Sequence, residues 1–176
     1  MTKLFNDSEV FTKERPTKPT QQQLTTFYSQ MAKEIIAEGY SSSDEEDIIA
    51  DLINLDVRDN GFEMAKSLES FRAKASYDIS VDFCEWLEWF SNEYRRLNEK
   101  NIEDWVKAHN IKPQLKKGQK LAITITLNFY NKAGKIIYIT GINEQRAYYL
   151  IAEDHNRNGG TIIPYEKLEA NCIKID

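Results

Sequence analysis

Between Leu24 and Val106 the apolar residues recur every three or four positions, and from Leu115 onward they recur every two. Leu24, Phe27, Tyr28, Met31 and Ile35 fall on one stripe, the spacing of a helix that buries a single face. Thr20 with Gln23 reads as a capping box, in which each residue satisfies an amide that the helix leaves orphaned. Gly39 supplies a left-handed stop, so the pattern predicts a helix over 20–38. Ser43 with Glu46 repeats the box ahead of Ile48, Ile49, Leu52, Ile53 and Leu55, and Asn60 with Glu63 opens a third helix carrying Met64, Leu68 and Phe71. Ser80 caps the fourth and longest, with Phe83, Trp86, Leu87, Phe90, Tyr94 and Leu97 on its stripe and Trp89 about 120° away from it. Asn101 then caps a short fifth helix, Ile102 to His109, which presents Ile102, Trp105 and Val106 before Pro113 ends the helical region.

Beyond Leu115 the residues Leu121, Ile123, Ile125, Leu127 and Phe129 alternate with Ala122, Thr124, Thr126, Asn128 and Tyr130. This is the pattern of a strand with one buried face. A three-residue loop ending on a left-handed Gly134 pairs Phe129 with Ile137 and Leu127 with Ile139, keeping the aliphatics together. A four-residue loop would expose Ile137 and Ile139, because a one-residue slip turns every side chain over. Further strands are expected at Arg146 to Glu153, Thr161 to Pro164 and Cys172 to Ile175, with one helical turn from Tyr165 to Glu169. The fold class is therefore α+β: a flexible N-terminal arm over 1–19, a domain of about five helices over 20–112 and a small β domain over 113–176, joined through Trp105 to Leu115 with little linker. Five short strands opened by Leu115, Lys116, Lys117 and Gly118, with a one-turn helix before the last, resemble the layout of SH3-like β-barrels. The resemblance is one of architecture and covers 115–176 alone. The acidic and aromatic peptide-binding motif of signalling SH3 domains is not visible, so proline-rich recognition is not implied.

Composition adds scale: 176 residues with 41% hydrophobic content suffice for one domain or two small ones. Charge adds more. The formal charge of -5 is segregated, with -10 over residues 1–104, +7 over 105–143 and -2 over 144–176. The middle stretch holds seven lysines (Lys107, Lys112, Lys116, Lys117, Lys120, Lys132, Lys135) and no carboxylate. In the expected hairpin Tyr130, Tyr138, Asn128, Thr126 and Thr140 share the outward face, flanked by Lys120, Lys132 and Lys135. Lys116, Lys117, Lys120, Lys132 and Lys135 with Tyr130 and Tyr138 are thus the candidate partner-binding residues, because stacking aromatics among cations are the parts of a nucleic-acid surface. The same lysines also block edge-to-edge strand pairing. An acidic chain that lacks the arginines and excess positive charge of a dedicated nucleic-acid binder favours that plainer role.

Motifs for chemistry are sparse. The carboxylates Asp44, Glu45, Glu46 and Asp47 suit the first turn of a helix, whose positive end they offset. Asp154, Asn156, Asn158 and Gly159 match the first half of a calcium loop, but Tyr165 occupies the twelfth position, where a bidentate Glu is needed. A hairpin tip accounts for the same residues. In Asp56 to Gly61, Arg58 occupies a ligand position. His109 and His155 have no nucleophile in a recognisable motif beside them, and Cys84 and Cys172 lack metal-ligand spacing. No cofactor is expected. Apolar runs such as Ile136 to Ile139 fall far short of the roughly 20 residues of a membrane span, and the polar N-terminus has no signal-peptide core. The expectation is a cytoplasmic, non-catalytic protein-interaction or regulatory protein with a protein partner, capable of self-association through its charge lobes and without a membrane role. The alternative is a nucleic-acid-binding accessory factor that uses the lysine and tyrosine face, and an enzyme ranks third.

Overall fold

The computed structural model describes residues 14–70, 72–125, 133–154 and 160–175. The elements in chain order are α1 (Gln21–Ala37), α2 (Glu45–Asn54), α3 (Gly61–Leu68), α4 (Val81–Ala108), β1 (Lys120–Ile123), β2 (Ile136–Asn143), β3 (Tyr148–Ala152), β4 (Thr161–Pro164), α5 (Tyr165–Glu169) and β5 (Cys172–Lys174). The chain divides into two compact units, Pro16–Asn101 and, with Arg15, Ile102–Asp176. The first holds 17 acids against 9 bases, a net of -8; Ile102–Asp176 holds 8 acids against 11 bases, a net of +3.

In the helical unit the caps decide where helices begin and end. Thr20 and Gln23 form the reciprocal capping box at α1. The helix closes with Gly39 N donating to Ile36 O and Tyr40 N to Ile35 O, a Schellman arrangement around a residue of φ 77°. Asn60 accepts from Glu63 N at α3 and Ser80 from Phe83 N at α4. Two expected caps are not used as such. The cap of α2 is Asp44, with no side-chain bond of its own, because Ser43 Oγ instead accepts from Ser76 N in the segment before α4. The separate fifth helix is also absent: α4 runs without interruption to Ala108, since no Gly or Pro falls between Val81 and Ala108 to stop it. Asn101 exchanges amide hydrogen bonds with Gln23 (2.6 and 3.2 Å). The true end is a second Schellman closure on Asn110, φ 49°, where Ile111 N donates to Val106 O and Asn110 N to Lys107 O. Tyr28, Met31, Ile35, Ile48, Leu52, Met64, Leu68, Phe83, Leu87 and Phe90 make the core of this unit, while Phe71 lies outside the described residues.

The sheet unit is an antiparallel sheet of order β4-β3-β2-β1-β5, open among the described residues with β4 and β5 at its edges. Its core gathers Leu121, Ile123, Ile137, Ile139, Tyr149, Ile151, Ile163, Tyr165 and Leu168 with Ile102, Trp105 and Val106 from the last turns of α4. The predicted hairpin register is corrected here. Leu121 pairs with Ile137 and Lys120 with Tyr138, Ile139 N donates to Gln119 O, and β1 ends at Ile123. Thr124 N still donates to Asn171 O at 2.9 Å and Ile125 is exposed; Leu127 and Phe129 lie outside the described residues. Leu121, Ile123, Ile137 and Ile139 nonetheless face inward as the alternation predicts, because the shift in pairing is an even number of residues; Ile125, expected on the same face, does not.

Candidate partner-binding face

The lysine stretch enters the sheet through a turn built for it. Gln119 N donates to Lys116 O and Lys116 N to Gln119 Oε1 at 2.7 Å. Gly118, at φ 86°, fills the third position, which in this type of turn requires a left-handed residue. Two buried side chains hold the approach to the turn. Gln114 N and Leu115 N each donate to Tyr149 Oη at 3.0 Å, and Gln114 N also donates to Glu169 Oε1 at 3.0 Å. Tyr149 Oη in turn donates to Glu169 Oε1. Burial pushes the Tyr149 hydroxyl well above its ordinary value, and burial likewise raises the Glu169 carboxyl against the hydrogen bonds that favour its charged form. Glu169 Oε2 is buried with no hydrogen-bond partner among the described residues.

The result is an anchored cationic corner. Lys116 and Lys117 are exposed, and Lys120 is half-buried directly across from Tyr138. Residues opposed in this way in an antiparallel pair project on the same face. Among the described residues these three lysines make no ion pair. Lys135 differs: its Nζ lies 2.5 Å from Glu153 Oε1, so its charge is compensated. Lys132 and Tyr130 lie outside the described residues. Of the seven candidates, then, Lys116 and Lys117 lie in the turn that leads into β1, Lys120 opposes Tyr138, and Lys135 is in an ion pair. Tyr149 and Glu169, which hold the corner in place, carry no signal in the sequence beyond their places in a strand and a helical turn.

Glu45, Glu46 and Asp47 occupy the first turn of α2 as expected. Arg58 folds back on Asp56, Nη2 to Oδ2 at 2.5 Å, and its hydrogen bonds hold that exposed carboxyl down to about 2. Asp154 is exposed, and residues 155–159, with His155, Asn156 and Asn158, lie outside the described residues. No group of three or more His, Cys, Asp or Glu side chains is placed to hold a metal among the described residues. An open groove of about 690 Å³ is lined by Asp51, Asn54, Ser67, Ser70 and Arg72, but its buried carboxylate is committed to backbone amides of Lys74 and Ala75. Cys84 and Cys172 are both free, and burial pushes the Cys172 thiol up to about 12, so it is inert. Among the described residues no helix is long and apolar enough to cross a membrane. No protein-family model, curated protein or solved structure matches the chain.

Proposed function

We propose that this chain is a non-catalytic, cytoplasmic interaction protein whose sheet unit holds a carboxylate-rich protein surface against Lys116, Lys117 and Lys120. One observation carries the reading: lysines that make no ion pair among the described residues are presented by a glycine turn whose approach is pinned by buried Tyr149 and Glu169. Fixing the backbone beneath flexible cations lowers the ordering cost of binding. Lysine meets a carboxylate as a point charge, without the fork geometry of arginine. The SH3-like reading of 113–176 is supported by the order β4-β3-β2-β1-β5 and by the single helical turn that precedes β5. The free cysteines suit a reducing compartment. One surface of suitable sign is the helical unit of a second copy, net -8, so head-to-tail self-association is a special case of the same reading.

A nucleic-acid ligand is favoured by Tyr138 beside Lys120. Against it, Tyr138 is half-buried and Lys135 is paired with Glu153, which shortens the cation track that a phosphate backbone would follow. Fluorescence anisotropy with labelled oligo-glutamate and with single-stranded oligonucleotides at low salt separates the two. Oligo-glutamate is expected to bind the wild type and to lose affinity when Lys116, Lys117 and Lys120 become Gln. Tighter binding of the oligonucleotide would transfer the site to nucleic acid, and absence of both would remove it.

A further inference from the structure

Arg15 is held on every side by groups of the sheet unit. It lies 151 residues upstream of the carboxylate it meets, in a segment without helix or strand, yet its side chain is only 9% exposed. Nε donates to Glu166 Oε1 at 2.6 Å and Nη2 to Glu166 Oε2 at 3.0 Å, a two-pronged match of guanidinium to carboxylate. Nη1 donates to Arg146 O at 2.8 Å, and Nη2 also reaches Ala147 O at 2.7 Å. The guanidinium carbon stands 4.6 Å from the Tyr148 ring centre and 5.2 Å from that of Trp105, within range for attraction to both π faces. A lysine could supply the charge but neither the fork nor the planar stacking.

The walls have supports of their own. Arg146 is tied by its side chain to Glu103 (Nε to Oε1, 2.9 Å) and by its amide to Asn143 Oδ1 (3.0 Å). Ala147 is fully buried and adopts φ 51°, a strained conformation for a residue with a side chain, and its carbonyl also accepts from Tyr165 N. Tyr148 and Pro164 are partners in the β3-β4 ladder. Strain kept at a buried turn whose two successive carbonyls accept from one guanidinium marks a formed receptor. We propose that Glu166, the Arg146 and Ala147 carbonyls, Trp105 and Tyr148 form an arginine-recognition pocket, in which Arg15 is the in-chain ligand and which accepts the arginine of another peptide segment when Arg15 leaves. The pocket takes a ligand of opposite charge to that of the lysine corner.

The test empties the pocket and refills it in trans. Arg15→Ala is expected to melt below the wild type, and ethylguanidinium at millimolar concentration is expected to raise its melting temperature saturably while leaving the wild type unchanged. The indole N–H resonance of Trp105, assigned by its loss in Trp105→Phe, should shift in the same titration. Ethylammonium should rescue more weakly by at least about tenfold, the equivalent of one lost charge-assisted hydrogen bond. Adding Glu166→Gln to Arg15→Ala should weaken the ethylguanidinium effect by a similar factor. Should Arg15→Ala not fold, refolding it in ethylguanidinium reads the same question, and failure of the probe to restore the fold overturns the proposal. Equal rescue by the two cations, or a response no different from that of the wild type, overturns it as well.

Discussion

Asp51 in the helical unit and Glu169 in the sheet unit are both buried carboxylates, 6% and 1% exposed, and they are held differently. Asp51 Oδ1 accepts from Lys74 N, and Oδ2 accepts from Lys74 N, Ala75 N and Tyr77 Oη at 2.9–3.1 Å. All of its capacity goes into fixing the segment that follows α3. Glu169 spends one oxygen on Tyr149 Oη and Gln114 N, while the other is buried without a partner among the described residues. A satisfied buried carboxylate locks the backbone it touches. A half-satisfied one makes the stability of its surroundings depend on its proton.

The largest effect is expected from removing the satisfied group. Asp51→Ala strands the buried amide of Ala75 and the partly buried Lys74 amide and Tyr77 hydroxyl, and should cost about 3–5 kcal/mol, toward the low end of about 1–3 kcal/mol per orphaned group because two of the three keep some access to water. Equilibrium urea unfolding measures it, and a loss below about 1 kcal/mol would break the contrast between the two carboxylates. Gly61→Ala comes next. A Cβ there would stand 1.9 Å from Cys84 O and 2.9 Å from Glu88 N, both backbone atoms of α4, so α3 must shift to accept it. Overpacking of this kind costs about 1–3 kcal/mol, and the same unfolding experiment reports it.

Glu169→Gln should act chiefly on the pH profile. Burial raises the Glu169 carboxyl above its ordinary 4.5, so the folded chain holds this proton more tightly than the unfolded chain does. That contribution to stability is fully present below the unfolded value and is lost as pH rises through the folded one. In Glu169→Gln the loss from 4.5 upward should vanish, flattening the urea midpoint against pH. Identical slopes in wild type and variant would contradict this assignment. The smallest stability effect belongs to the lysines: Lys116→Gln, Lys117→Gln and Lys120→Gln should each shift unfolding by no more than about 0.5 kcal/mol, as surface substitutions do.

The helical unit was the more legible because its signals are local. A capping box at Thr20 and Gln23, a glycine stop at Gly39 and a three-four stripe through Phe83, Leu87 and Phe90 all act within a few residues. Local reasoning failed where a tertiary partner took the side chain first: Ser43 was claimed by Ser76 N and Asn101 by Gln23. In the sheet unit alternation revealed which face is buried but not which residues pair, since every even shift of register preserves the faces. Leu121 meets Ile137, and β1 ends at Ile123. Of the candidate site, the lysines were visible as a charge pattern, whereas Tyr149, Glu169 and Arg15 act across separations of 20 to 151 residues and have no local mark.

If Lys116, Lys117 and Lys120 bind carboxylates as proposed, titrating the full chain with oligo-glutamate should move amide chemical shifts saturably at Lys116–Lys120 and at Tyr138 across from Lys120, and the three glutamine substitutions should abolish those shifts. Shifts centred on the helical unit, or none at low salt, would overturn the proposal.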